Sequence, residues 1–77
     1  MISKLIQHIV TKLVDAPEAI NIAQVQKEET LVIELRVASE DLGKVIGKEG
    51  RTARSLRTLV QAAAKLEKKT AILEILE

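Results

Sequence analysis

The sequence predicts an α+β domain with the element order α-β-β-α-α-β. Apolar residues recur every three or four positions in three segments, as in helices, and every second position in others, as in strands. A short link between the first two strands favours an antiparallel pair, whereas a crossover through two helices lets the third strand lie parallel to its neighbour. We therefore expect a three-stranded mixed sheet with the helices packed on one face, built from residues 1–77 as a single domain.

The first half of the chain supplies one helix and two strands. Apolar side chains at 2, 5, 6, 9, 10 and 13 predict a helix over residues 2–14, which Asp15 and Pro17 end because proline disfavours helical geometry at the preceding residue. A strand follows from Ile20 to Val25, and its alternation slips near Ala23, which indicates either a bulge or the end of the strand. The second strand alternates over residues 30–37. Its core-facing residues are Leu31, Ile33, Leu35 and Val37.

The second half supplies two helices and the closing strand. Ser39 is predicted to cap a helix of about two turns that Gly47 ends. The residues expected to anchor this helix are Leu42, Val45 and Ile46. The next helix begins near Arg51 and ends in a lysine-rich turn, where cations suit the negative end of the helix dipole. Its predicted buried residues are Ala53, Leu56, Leu59, Val60 and Ala63. Residues 70–77 form the last strand.

The composition excludes several kinds of site. The chain has no cysteine and no Phe, Tyr or Trp, which removes disulfides, thiolate chemistry, cysteine-bound zinc and aromatic base stacking. Polar residues interrupt every apolar run, so we expect no membrane segment, and the lack of cysteine fits the cytoplasm. The single histidine, His8, shares a polar helix stripe with lysines. We therefore expect neither an enzyme nor a bound metal or cofactor.

The positive charge is concentrated around two glycines. The net charge of the chain is +1, but residues 43–57 alone carry +4, because five cations there face the single carboxylate of Glu49. Arg51 and Arg54 stand at the start of a helix, where cations are unfavourable unless an anion is near. A phosphate would satisfy these charges and the free amides together, and Gly47 and Gly50 would let it approach the backbone. A plain bend between two helices remains the alternative.

Two further features of this segment bear on its function. Residues 43–49 resemble a P-loop, but the spacing is one residue short and Glu49 takes the place of the magnesium-binding Ser or Thr, so nucleotide hydrolysis is not predicted. Gly43 lies inside a short helix, where glycine costs about 1 kcal/mol relative to alanine. Either a ligand approaches closely at Gly43 or the glycine lets the helix pack tightly on the sheet, and the sequence leaves both open.

The stretch LGKVIGKEGRTARSLRTLV resembles the G-x-x-G core of a type II KH domain, and the whole chain resembles the small bacterial single-KH-domain RNA-binding proteins of the KhpA-like family. The resemblance implies that the loop Gly47–Gly50 clamps the backbone of single-stranded RNA, of which a KH domain holds about four nucleotides. It implies an aliphatic groove that needs no aromatic residues. The RNA-binding residues it implies are Lys44, Val45, Ile46, Gly47, Lys48, Glu49, Gly50, Arg51 and Arg54.

The resemblance also implies roles and partners. Members of this family are regarded as RNA chaperones or post-transcriptional regulators, often form homodimers and often pair with a larger KH-domain-containing protein. The alternative is a protein-interaction or dimerisation module that keeps the KH fold without strong RNA binding. Val32, Ile72 and Leu76 are expected on the sheet face away from the helices. They are either ordinary exposed aliphatics or a surface for self-association, for which the long helix is another candidate.

Overall fold

The computed structural model describes residues 2–76 and has the predicted order of elements. The helices and strands are α1 (Ile2–Thr11), β1 (Asn21–Lys27), β2 (Thr30–Arg36), α2 (Leu42–Ile46), α3 (Arg51–Leu66) and β3 (Thr70–Leu76). Single turns of 3-10 helix precede β1, α2 and α3, at Pro17–Ala19, Ser39–Asp41 and Lys48–Gly50. The predicted α+β fold of type II KH order is confirmed. Residue 77 of the predicted last strand lies outside the described residues.

The sheet is mixed, in the spatial order β1-β2-β3. β1 pairs antiparallel with β2 through a two-residue turn, and β2 pairs parallel with β3. Ala23 pairs with Glu34 in an unbroken register that runs on to Lys27, so the slip in alternation marks neither a bulge nor the end of β1. The pattern slips because β1 is an edge strand, where Ala23 and Val25 stand on the face without helices and stay exposed.

The hydrophobic core lies between the three helices and one face of the sheet. β2 contributes Ile33 and Leu35, both at 0% exposure, because alternate residues of a strand point to the same face. The buried residues that form this core are Ile2, Ile6, Val10, Val14, Ile33, Leu35, Val45, Leu56, Val60, Ala64, Ala71 and Leu73. No helix within residues 2–76 has the length and apolar content needed to cross a bilayer.

The predicted burial of Leu59 is wrong. Leu59 is 43% exposed, because the buried stripe of α3 runs through Ala53, Leu56, Val60 and Ala64. Ile46 is 39% exposed, because α2 is too short to bury both of its last two residues. Val32 lies on the open face of the sheet, as predicted, but it is only 3% exposed. It lies on the central strand between its cross-strand partners Val25 and Ile72, and these three side chains shield one another.

Candidate nucleic-acid interface

The loop of residues 47–50 joins α2 to α3 and contains three residues with positive φ, Gly47, Glu49 and Gly50. Gly47 has φ 77° and ψ 173°, a region that essentially only glycine enters. Glu49 (φ 56°, ψ 27°) and Gly50 (φ 73°, ψ 15°) are both left-handed. The predicted need for positive φ at the chain reversal is therefore met at both glycines, and Glu49 carries additional strain that a glycine would not.

The two glycines of the loop meet different surroundings. A Cβ atom on Gly47 would lie 2.3 Å from Oγ1 and 2.8 Å from the backbone nitrogen of Thr52, so the space beside Gly47 is filled by the first turn of α3. A Cβ on Gly50 would meet nothing within 4 Å. Gly47 therefore allows the loop to close on α3, and Gly50 is where an external group has open access to the backbone.

Two amides of the loop remain available. Gly47 N–H donates to the Gly43 carbonyl (2.8 Å), Gly50 N–H to the Gly47 carbonyl (3.1 Å), and Arg51 N–H to the Lys48 carbonyl. The N–H groups of Lys48 and Glu49 have no acceptor within residues 2–76. They begin a 3-10 turn that runs into α3, and such unpaired donors at the positive end of a helix favour an anion.

The cations around the loop differ in their pairing. Arg51 lies 3.3 Å from a carboxylate oxygen of Glu49, and both side chains are largely exposed, so this pair contributes little to stability. The side chains of Lys48, Arg54 and Arg57 are exposed and form no ion pair within residues 2–76. Three exposed cations without an ion-pair partner therefore lie in the loop and the first two turns of α3, on the same side of the chain reversal as the two available amides in sequence.

Lys44 is held by carboxylates instead of projecting toward the loop. Its ammonium donates to the side chain of Asp15 and lies 3.6 Å from Oδ1 of Asp41. The hydrogen bond to Asp15 is the main cause that raises the pKa of Lys44, so its positive charge is firmly retained. Lys44 thus faces two carboxylates of the domain, whereas Arg51, another predicted RNA-binding cation, pairs with the exposed Glu49.

The role of Asp41 does not follow from the sequence pattern, and the predicted helix cap at Ser39 is wrong. Ser39 Oγ lies 3.4 Å from a carboxylate oxygen of Glu40 and caps no helix. Asp41 is 2% exposed and accepts hydrogen bonds from the backbone N–H groups of Asp15 (3.1 Å) and Ala16 (3.0 Å). The hydrogen bond from Asp15 is the main cause that lowers the pKa of Asp41, and the bond from Ala16 acts in the same direction. Burial of the carboxylate opposes them, because it raises the pKa.

Two apolar residues of α2 take different positions. Val45 is 0% exposed and supports the helix from the core, whereas Ile46 is 39% exposed beside the loop. A Cβ on Gly43 would meet nothing within 4 Å, so the alternative in which Gly43 lets α2 pack tightly on the sheet is wrong. The exposed surface of α2 next to the loop is therefore small and aliphatic. Within residues 2–76 no three His, Cys, Asp or Glu side chains gather in a way that would hold a metal ion.

The sequence and the fold both have relatives. The profile of the KhpA/KhpB KH domain matches residues 3–75. The RNA-binding protein KhpA of Caldanaerobacter subterraneus subsp. tengcongensis is 49% identical over 73 residues, which is 95% of this chain and 97% of that protein. The RNA-binding protein KhpA of Clostridium perfringens is 47% identical over 73 residues, with the same coverage of both chains. That of Chlamydia trachomatis is 46% identical over 70 residues, with 91% and 90% coverage.

A solved structure shows the same fold in a larger protein. The crystal structure of Aquifex aeolicus Era matches with a TM-score of 0.65 over 96% of this chain and 29% of that one. At 20% identity this likeness concerns the fold alone. The match of the family profile and the near-complete coverage of the relatives decide the membership: the chain belongs to the KhpA/KhpB family of KH-domain proteins.

Proposed function

We propose that this protein binds single-stranded RNA through the loop of residues 47–50 and the start of α3, and that it acts as an RNA chaperone or post-transcriptional regulator in the cytoplasm. The observation that carries the proposal is the coincidence of two unpaired amides, at Lys48 and Glu49, with three unpaired cations at the positive end of α3. Membership of a family whose curated relatives are named RNA-binding proteins supports the choice of ligand.

Different parts of the interface bind the sugar-phosphate backbone and the bases of the RNA. Phosphates accept from the amides of Lys48 and Glu49, approach the open side of Gly50 and are neutralised by Lys48, Arg54 and Arg57. Bases lie on the aliphatic surface of Ile46 and Gly43, with Val45 supporting that surface from below. Because phosphate contacts carry no sequence information and the aliphatic surface offers few hydrogen bonds, we expect weak sequence preference.

The affinity of one domain should be modest and dependent on salt. If Lys48, Arg54 and Arg57 each neutralise one phosphate, the logarithm of the binding constant falls with the logarithm of salt concentration with a slope of about −2, taking about 0.7 per phosphate for single strands. Glu49 opposes part of this attraction. A second RNA-binding domain held close by would raise the effective concentration and tighten binding without new contacts.

A homodimer supplies such a second domain, and α3 offers the surface for it. Leu59 is 43% and Leu66 is 85% exposed, and Ala62 is exposed between them at helical spacing, which places a narrow apolar stripe on the solvent side of α3. Small residues at the centre of such a stripe allow two helices to approach closely. A larger KH-domain-containing partner would use the same stripe in a heterodimer. These exposed leucines are also the observation that favours the second candidate function, a protein-interaction module.

The decisive experiment reverses charge in the loop and at a matched distant site. We replace Lys48 and Glu49 by Asp and compare this variant with Lys68→Asp. Lys68 is an exposed lysine with φ 58°, a left-handed geometry that Asp tolerates, and it lies about 24 Å away at the other end of α3. Both variants lose two units of net charge. Melting temperatures confirm folding, and fluorescence anisotropy with a labelled single-stranded oligoribonucleotide measures affinity at two salt concentrations.

The expected result is a loss of affinity at least about tenfold in the loop variant, with a shallower salt slope, and little change for Lys68→Asp. Equal losses in both variants would indicate general electrostatic attraction and contradict the proposal. A wild-type protein that binds no RNA but forms dimers that Leu66→Glu disrupts would support the interaction module instead.

A further inference from the structure

Asp41 is the one buried charged side chain within residues 2–76. Both of its carboxylate oxygens accept hydrogen bonds from the backbone between α1 and β1, Oδ1 from Asp15 N–H and Oδ2 from Ala16 N–H. Burying an ionised carboxylate is costly unless its oxygens are satisfied, so this placement holds only while both amides stay where they are. The carboxylate therefore ties two segments that are 25 residues apart in sequence.

Lys44 completes the cluster. Its ammonium donates to the Asp15 side chain and lies 3.6 Å from Asp41, so it faces both carboxylates at once. We call Asp15, Asp41 and Lys44 the Asp41 clamp. The clamp joins the connection after α1 to the first turn of α2, and Lys44 stands only three residues before Gly47, where the candidate interface begins.

α2 needs such a tether because it is short. A helix of five residues forms one turn, which is not stable alone and takes its direction from what it packs against. Its apolar anchorage is one fully buried residue, Val45, with Leu42 partly buried, while Ile46 is 39% exposed. One fully buried residue restricts the tilt of a helix less than two buried residues would. The clamp supplies the second fixed point, at the end of α2 away from the loop.

We propose that Asp41 is a positioning residue for the nucleic-acid interface: by binding the amides of Asp15 and Ala16 it fixes the direction of α2, and with it the position of Ile46 and the loop relative to α3. The proposal rests on the function proposed above. Asp41 touches no RNA. It acts through α2, so that the available amides and the aliphatic surface are already aligned before RNA arrives, which reduces the cost of ordering them on binding.

The test compares Asp41→Asn with Val60→Ala, a control for stability. Asparagine keeps one acceptor but places its amide against the second backbone N–H, so the tether is broken. Val60 is 0% exposed in the middle of α3, and its truncation destabilises the fold without touching the clamp. Affinity for the labelled single-stranded oligoribonucleotide is measured well below the melting midpoint of the weaker variant. Amide hydrogen exchange of residues 47–50 is measured without RNA.

We expect Asp41→Asn to lose affinity by about fivefold or more, with the salt slope unchanged because no phosphate contact is removed, and to exchange faster in the loop. Val60→Ala keeps wild-type affinity. Should Asp41→Asn fail to fold, the same change is made in a Lys68→Gly background, which relieves a left-handed residue far from the interface.

Two other outcomes are distinct. If wild type binds RNA and the Lys48/Glu49 variant loses it, while Asp41→Asn binds as tightly as wild type, the clamp serves stability only and this inference is overturned. If wild type does not bind RNA at all, the proposed function itself fails, and unchanged loop exchange in Asp41→Asn then overturns the positioning role independently.

Discussion

The two ends of α3 both carry clusters of cations, in opposite electrical settings. At the N-terminal end, Lys48 precedes the helix and Arg54 and Arg57 lie in its first two turns, at the positive pole that also carries the unpaired amides of Lys48 and Glu49. At the C-terminal end, lysines stand at the negative pole, where the amides of Glu67, Lys68 and Lys69 already bond carbonyls of the last turn. Cations are unfavourable at the first pole unless an anion binds there, whereas they are favourable at the second pole.

The shape of the surface would favour a ligand at the C-terminal end of α3, but shape is weaker evidence for an anion site than the unpaired donors and cations are. A depression of about 230 Å³ lies at the C-terminal end. It is lined by Gln61, Lys65, Lys69, Thr70 and Ala71. Nucleic-acid backbones bind along open, charged surfaces and need no enclosed cavity, and Glu67 lies 3.7 Å from Lys69 and offsets its charge. We therefore place the proposed anion site by its unpaired donors and exposed cations, and not by the number of cations or by concavity.

Among the predicted changes at the two ends of α3, Gly47→Ala should have the largest effect, on the free energy of unfolding. The new Cβ would meet Thr52 at 2.3 Å and the backbone would remain in a glycine-only region, so we expect a loss of about 2–5 kcal/mol in the free energy of unfolding. Gly50→Ala, which meets no neighbour, should cost only about 1 kcal/mol. Urea denaturation measures both, and equal costs would mean that Thr52 does not constrain the loop.

The next largest effect should come from neutralising one cation at each end of α3, because only the N-terminal cation is expected to contribute to RNA affinity. Arg54→Ala should weaken binding to single-stranded RNA about fivefold and reduce the steepness of the salt slope by about 0.7, because one phosphate contact is lost. Lys65→Ala, an exposed lysine of the last turn, should leave both quantities unchanged. Anisotropy titrations across a salt series measure the affinity and the salt slope. Equal losses in the two variants would contradict the proposal that only the N-terminal end of α3 binds RNA.

A smaller effect is expected from relieving the left-handed residue at each end. Glu49→Gly and Lys68→Gly both remove a non-glycine residue with φ near 57°, and each should stabilise the fold by up to about 1 kcal/mol. Only Glu49→Gly also removes a carboxylate from the interface, so it alone should tighten RNA binding, by about two- to threefold. Weaker binding by Glu49→Gly would show that this carboxylate or its ordering of Arg51 assists recognition.

Acidification should have the smallest effect, because it acts only well below neutral pH, and it should act first at the Asp41 clamp. The pKa of Asp41 is lowered in the folded protein, chiefly by the hydrogen bond from the Asp15 N–H. The ionised carboxylate therefore stabilises the fold fully above about pH 4, and this stabilisation is lost as the pH falls through the pKa of Asp41 in the folded protein. The pKa of Lys44 is raised by the Asp15 carboxylate, so the stabilisation of the fold by its ammonium disappears only as the pH rises past about 10.

The measurement is the urea midpoint of wild type and Asp41→Asn between neutral and acidic pH. The wild-type curve should fall below about pH 4 more steeply than that of the variant, and NMR amide shifts should change first in residues 15–16 and 41–47. Parallel curves would show that the clamp makes no contribution that depends on ionisation.

Much of the fold followed from local patterns. The 3.6-residue and two-residue periodicities predicted the order of the α-helices and strands that residues 2–76 form, and the glycine pair with its basic neighbours predicted the loop. The burial of Val32 and the exposure of Leu59 did not follow, because each depends on which side chains of neighbouring strands and helices share its surroundings.

By itself the sequence determined the elements, the family and the position of the glycine loop, since these depend on spacing between residues close in the chain. Only the tertiary structure decided that Asp41 is buried on the amides of residues 15 and 16, that Lys44 is drawn away from the interface by two carboxylates, and that Gly47 makes room for Thr52. The physical reason is that hydrogen bonds and close contacts form where folding brings segments together, and no local periodicity records which segments will meet.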